Sequence, residues 1–143
     1  MRIRAAGMII KNDELLLVKH VKGKSAYWLL PGGGIKLGED TKIALKREIM
    51  EEINLDCTIK ELLFVVESVS SPSDHIVQPT YSVEVRSFDS LKVGKDKRVT
   101  GFHFFDYKKI ENITIYPDIK HELQEYLKNR KSGKKYIYKK WIN

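Results

Sequence analysis

Residues 33–55, Gly33 to Leu55, read GGIKLGEDTKIALKREIMEEINL, and the rest of the chain is best understood outward from them. At about 100° per residue, a helix through this stretch gathers Glu48, Glu51 and Glu52 within roughly a 100° arc of one face. Three carboxylates so crowded raise one another's pKa and destabilise the helix unless positive charge sits among them. A divalent cation supplies that charge most compactly. Leu45, Ile49 and Ile53 form an i, i+4 apolar stripe beside the acidic face, so one side of the helix docks on a core while the adjacent side is free for chemistry. Asp40 or Thr41 suits the N-cap, and Asn54 suits the left-handed residue that ends a helix. The preceding Pro31-Gly32-Gly33-Gly34 reads as a loop that no regular element contains, its glycines allowing positive φ or close approach of backbone to a metal.

This spacing resembles the signature of the Nudix hydrolases: a glycine, five residues, Glu, seven residues, then Arg-Glu-aliphatic-x-Glu-Glu-x-Gly-aliphatic. Gly33, Glu39, Arg47, Glu48, Ile49, Glu51, Glu52 and Leu55 fall on that pattern, and Asn54 stands where the family has glycine. At background frequencies near one in fifteen, six fixed identities coincide about once in ten million starting positions, which sets chance aside. The resemblance implies an α+β domain, the α/β/α sandwich of the Nudix type, whose mixed sheet carries the motif helix and a C-terminal helix. It implies Mg²⁺, with Mn²⁺ as a substitute, held by Glu48, Glu51, Glu52 and the Gly33 carbonyl. Arg47, Glu48 and Glu52 are then the catalytic candidates, with Glu39 supporting Arg47. The general base is either Glu48 or Glu52 itself or an acid from the C-terminal half, where Asp96, Glu84, Glu67 and Asp74 are available. Asp96 leads that second group because its GKDKR segment is a loop before a strand.

Around the motif, residues 3–10 and 14–19 are apolar runs about an Asn12-Asp13 turn, the pattern of a hairpin. Further strands are predicted at 27–30, 57–69, 76–87 and 98–105, and an amphipathic helix at about 118–131 with Ile119, Leu123, Tyr126 and Leu127 on one face. A chain of 143 residues with 42% hydrophobic content reads as one domain with a real core. The N-terminal apolar stretch is cut off by Lys11, Asn12 and Asp13, so neither a signal peptide nor a membrane span is expected, and the predicted location is the cytoplasm. The single Cys57 reads as a buried thiol. The four histidines lack ligand spacing and receive no role.

Residues 128–143 carry seven Lys and Arg without an acid, whereas the remainder balances 19 basic against 19 acidic residues. The net charge of +7 is therefore a property of the tail, which weakens a nucleic-acid reading of the whole surface. Residues 1–131 are read as the hydrolase domain and 132–143 as a basic, aromatic extension, part of the same domain or a contact in a homodimer. Tyr136, Ile137, Tyr138, Trp141 and Ile142 have nothing to gain in water, so residues 136–142 are expected to be ordered against the body or a second subunit.

The motif specifies a diphosphate and not what is attached to it. Arg2 and Arg4 point to one side of the first strand, which makes Arg4 a candidate for a distal phosphate or a base, and Tyr27 a candidate for base stacking. Within the family, a proline about fifteen residues past the motif is associated with ADP-ribose hydrolysis, and Pro72 lies 17 residues past Leu55. The expected activity is Mg²⁺-dependent hydrolysis of a small nucleotide, a nucleoside diphosphate derivative such as ADP-ribose. A nucleoside triphosphate pyrophosphohydrolase of the oxidised-dGTP type is the runner-up, RNA-end hydrolysis follows, and a non-catalytic ligand sensor is the alternative from another class.

Overall fold

The structure, a computed structural model, describes residues 1–140. Strands β1 (Arg2–Met8), β2 (Ile10–Lys11), β3 (Glu14–Lys22), β4 (Ser25–Leu29) and β5 (Gly32–Gly34) precede helix α1 (Thr41–Ile53). Then come β6 (Thr58–Ser71), β7 (Asp74–Glu84), β8 (Val99–Phe105), the short α2 (Tyr107–Ile110), α3 (Lys120–Asn129) and β9 (Tyr136–Lys140). One sheet runs β5-β1-β7-β6-β9; the other runs β2-β3-β4, with β8 also on β3. Pairs β1–β7 and β6–β9 are parallel and the others antiparallel, so the sheet is mixed.

Side-chain alternation along the strands builds two cores. Ala6, Met8, Leu15 and Leu17 join Val66, Ile137 and the α3 residues Leu123 and Leu127 in one. Their neighbours Ala5, Ile9, Leu16 and Val18 join the α1 stripe Leu45, Ile49 and Ile53 in the other. Strands thus lie between α1 and α3, the sandwich expected. Asn12 and Asp13 have φ of 51° and 62°, the paired positive values of a tight hairpin turn. Asp40 caps α1 by accepting from the Ile43 amide at 2.8 Å, and Asn54 ends it in the left-handed region with φ 57°. Cys57 is buried and unpaired, its thiol pushed up to about 11 by burial. No helix among the described residues is long and apolar enough to cross a membrane.

Three features differ from the sequence reading. The run 3–10 does not pair as a whole with 14–19: only Ile10 and Lys11 pair across the Asn12-Asp13 turn, with Leu15 and Glu14, while β1 joins the other sheet between β5 and β7. The glycine run is not a loop: β5 pairs with β1 in antiparallel register, Arg4 opposite Gly34, Ala5 opposite Gly33 and Ala6 opposite Gly32. A Cβ on Gly32 would lie 2.0 Å from the Ala5 carbonyl oxygen, so the pairing depends on the missing side chain that hid the strand. The β6–β7 hairpin is tighter than expected, since β6 continues to Ser71 and β7 begins at Asp74. At the C-terminus, where order against the body or a second subunit is expected, β9 adds to β6 in parallel from Val65 opposite Tyr136 to Val69 opposite Lys140, with Ile137 buried. Trp141 and Ile142 lie outside the described residues.

Candidate active site

Helix α1 crosses beneath β5, and the two elements bring the motif residues together. Gly33 faces Glu48 so closely that a Cβ there would stand 2.4 Å from the carboxyl carbon. The Gly32 amide donates to Glu52 Oε1 at 2.7 Å. Glu48 and Glu52 are buried, with 6% and 1% of their surface exposed, whereas the Glu51 side chain keeps 44%. The acidic arc therefore has a buried floor and an open edge.

Arg47 is the clasp on this arc. Its Nε and Nη2 donate to the two Glu39 oxygens at 2.7 and 2.8 Å, Nη1 donates to Glu48 at 2.9 Å and to Glu51 at 3.3 Å, and Nη2 also reaches the Gly34 carbonyl at 3.1 Å. The bidentate pair, helped by the Lys36 amide, holds Glu39 down at about 2 and raises Arg47 above its ordinary value. Glu39, distant in sequence, thereby fixes the guanidinium between helix and glycine strand.

Glu52 has the opposite electrostatics. Burial pushes it up to about 8, and Glu48 and Asp96 add repulsion; Arg4 and the Gly32 amide offset only part of this. Glu48 Oε2 is buried without a hydrogen-bond partner among the described residues. Arg47 engages Glu48 and Glu51 and the Gly32 amide engages Glu52, and no three His, Cys, Asp or Glu side chains among the described residues converge as a ready-made cage. A buried acid whose carboxylate form lacks enough positive charge beside it, next to an acceptor with no donor, nevertheless suits a hard divalent cation, whose binding would displace the proton.

Arg4 reaches the site from β1, half-buried, donating to Gln78 Oε1 at 2.7 Å and to the Leu30 carbonyl at 2.6 Å. Its pKa is lowered by burial and supported by Glu52 and Glu48. Of the four outside acids, Asp96 is close enough to add to the repulsion on Glu52. Glu67 on β6 is bound by His75 of β7 and Tyr136 of β9, Asp74 is bound by Arg2 and Tyr116, and Glu84 pairs loosely with Lys60. Tyr27 is not in contact with the acids; it stands edge-on to His20 and Tyr116, with ring centroids 5.5 and 6.3 Å away.

Two residues near the acids carry no signal in the sequence. Arg98 sits beside Asp96 and feels Glu48 and Glu52, and His20 is lowered by burial and by Arg4 and Arg98. His20 lies on β3 and Arg98 in the turn just before β8, and the pairing of these strands sets His20 opposite Val99. Their proximity to α1 is tertiary, so no local pattern announces it.

The family model described as "NUDIX domain" matches residues 1–127. An ADP-ribose pyrophosphatase of Methanocaldococcus jannaschii is 31% identical over 111 residues, which is 76% of this chain and 64% of the relative, so the chain spans under two thirds of that protein. An RNA pyrophosphohydrolase of Orientia tsutsugamushi is 29% identical over 144 aligned positions, covering 96% of this chain and 85% of the relative. The crystal structure of a Nudix hydrolase from Nitrosomonas europaea superposes with a TM-score of 0.80 at 18% identity over 98% of this chain and 79% of that one, a likeness of fold. With the signature residues assembled around α1 and the domain matched over most of its length, this chain belongs to the Nudix family.

Proposed function

We propose that this protein is a divalent-metal-dependent hydrolase of the pyrophosphate linkage in nucleoside diphosphate derivatives, with ADP-ribose or a close analogue as substrate. What carries the reading is the buried Glu48–Glu52 pair packed under the glycine strand, one acid protonated up to about pH 8 and the other with an unpartnered oxygen. Groups so costly to bury are retained where they have a ligand to meet. Glu48, Glu51 and Glu52, with the Gly33 carbonyl, would hold Mg²⁺ or Mn²⁺. When bound, the cation screens the phosphate charge and lowers the pKa of an attacking water.

The chain's own residues have separable tasks. Arg47, pinned by Glu39, orients the Glu48 and Glu51 carboxylates. Gly32 fixes Glu52 through one oxygen and leaves the other for chemistry. Glu52, once its own proton is displaced, is the better proton acceptor for the attacking water, because the Gly32 amide engages one of its oxygens and no arginine among the described residues hydrogen-bonds to the carboxylate. Asp96 is the weaker one, since Arg98 engages both its oxygens and holds it below the usual carboxylate range. Arg4, held by Gln78 and Leu30, supplies fixed positive charge beside the acids.

The choice of ADP-ribose is supported by the printed activity of the M. jannaschii relative. A second reading, an RNA 5′ end as substrate, is supported by the more complete alignment with the O. tsutsugamushi relative. A panel of ADP-ribose, ATP, 8-oxo-dGTP and 5′-triphosphorylated RNA with Mg²⁺, scored by product, tests both. AMP and ribose 5-phosphate from ADP-ribose at the highest kcat/KM is expected. Preferred release of pyrophosphate from RNA would replace the first reading with the second, and no hydrolysis across the panel would contradict both.

A further inference from the structure

We infer that Arg98 is a substrate-positioning residue that binds a phosphoryl group of the nucleotide through the free edge of its guanidinium, with Asp96 as its mount. This rests on the pyrophosphate hydrolysis proposed above and adds a residue that the signature does not contain.

The mount begins with backbone. The loop after β7 runs along the last turn of α1, where the Lys92, Gly94 and Asp96 amides donate to the Ile53, Glu52 and Glu51 carbonyls at 3.2, 2.8 and 3.2 Å. These are carbonyls that a helix end leaves without intrahelical partners. Asn54 and Ser90 tie the loop from its other end, through bonds of 2.9 and 2.8 Å to each other's backbone. Gly94 comes so close that a Cβ would lie 2.3 Å from the Glu51 carbonyl oxygen. The loop is therefore registered against the very turn that carries Glu51 and Glu52.

Asp96 then converts backbone register into side-chain register. Its carboxylate, with 11% of the side chain exposed, accepts from the Arg98 amide at 3.0 Å, from Arg98 Nε at 3.1 Å and from Nη2 at 2.8 Å. A guanidinium has five N–H donors in a rigid fork. Asp96 occupies the Nε side, which leaves the Nη1–Nη2 end edge with geometry for a second bidentate acceptor such as a phosphate. No acceptor among the described residues takes that edge, and 70% of the Arg98 side chain is exposed.

The arginines facing the acids differ in this respect. Arg47 is engaged by three glutamates and a carbonyl, and Arg4 by Gln78 and Leu30. Arg98 has the open edge. The β3–β8 register sets Val99 opposite His20, and the β3–β4 register sets His20 opposite Tyr27, so Arg98, one residue before Val99, stands beside the start of that row. A polyanion over Glu48 and Glu52 meets Arg98 as a cation whose direction is already set.

Binding of methylene-bridged analogues of ADP-ribose and ATP in Mg²⁺, followed by calorimetry, tests this without turnover. The proteins are wild type, Arg98→Ala, Arg98→Lys and Asp96→Asn, each with a melting curve. Loss of one charge-assisted contact predicts about tenfold or greater weakening for Arg98→Ala, with Arg98→Lys recovering part and Asp96→Asn intermediate. In turnover, Arg98→Ala should raise KM more than it lowers kcat. Wild-type affinity in folded Arg98→Ala overturns the assignment while leaving the hydrolase reading intact. Failure of wild type to bind either analogue overturns the hydrolase reading itself, and this inference with it.

Discussion

Replacing Glu52 with Gln should make the metal-free protein more stable at neutral pH, and the size of the gain follows from the burial of that one carboxyl. In the fold Glu52 titrates at about 8, against an ordinary 4.5. Below 4.5 both folded and unfolded chains hold the proton and no penalty exists. Above it the unfolded chain releases the proton first, so stability is lost at about 1.4 kcal/mol per pH unit until the folded group titrates. Between pH 5 and 7.5 that amounts to about 3 kcal/mol, or roughly 10 °C in Tm for a domain of this size. Glutamine keeps the shape and an oxygen for the Gly32 amide, and has no proton to lose. His20, lowered by burial, works in the opposite direction as pH rises toward its ordinary 6.5, and it is common to both proteins, so the difference between them isolates Glu52. Melting by circular dichroism in EDTA at pH 5, 6, 7 and 7.5 supplies the curves. Wild type should lose ground against Glu52→Gln at each step; parallel curves for the two proteins would refute the reasoning.

Three further outcomes follow from the geometry. Gly33→Ala drives a methyl group toward the Glu48 carboxyl, where 2.4 Å is available, so activity should fall by tenfold or more with a stability loss of about 1–3 kcal/mol, read by kinetics and urea melts together. Unchanged kinetics there would show that the cradle is not used. Arg47→Ala leaves Glu39, Glu48 and Glu51 without their shared cation; Tm in EDTA should drop, and added Mg²⁺ should recover more of it than in wild type, so an equal Mg²⁺ response in both would count against the clasp. Deleting residues 136–143 removes β9 and uncovers its side of the core, with the Ile137 contact alone worth about 2 kcal/mol, so Tm should fall by several degrees; a truncated protein that melts with wild type would count against a structural role for β9.

The motif helix was legible in the sequence because each of its signals is local. Leu45, Ile49 and Ile53 recur at helical spacing and are fully buried, Asp40 accepts from the third residue on, and Asn54 takes the left-handed turn. The Asn12-Asp13 turn was legible for the same reason, whereas the departure of β1 to pair with β5 and β7 in the other sheet was not, since those partners are distant in sequence. The glycine strand was not, because a strand of three glycines has no side-chain alternation and exists through its partner β1. Order in the tail could be argued from Ile137 and its neighbouring tyrosines, whereas β6 as its partner could not, since parallel pairing has no turn to mark it. Helix α3 begins at Lys120, within the error of a start read from apolar spacing alone, and four-residue α2 is too short to show a period. Within the site, Glu39, Arg47 and the glutamates are fixed by spacing along the chain. Arg98 and His20 depend on which strands pair, and that information is spread over the whole fold.

The account rests on hydrolysis at the buried glutamate pair, and ADP-ribose turnover in wild type and Glu52→Gln, with Mg²⁺ and with EDTA, tests it most directly. Folded protein is verified in each sample by its melting curve. The account predicts AMP and ribose 5-phosphate from wild type, abolition by EDTA, and a loss on the order of a hundredfold or more in Glu52→Gln, which removes a charge and a proton acceptor while preserving size. Turnover that survives EDTA, or that persists undiminished in folded Glu52→Gln, would contradict it.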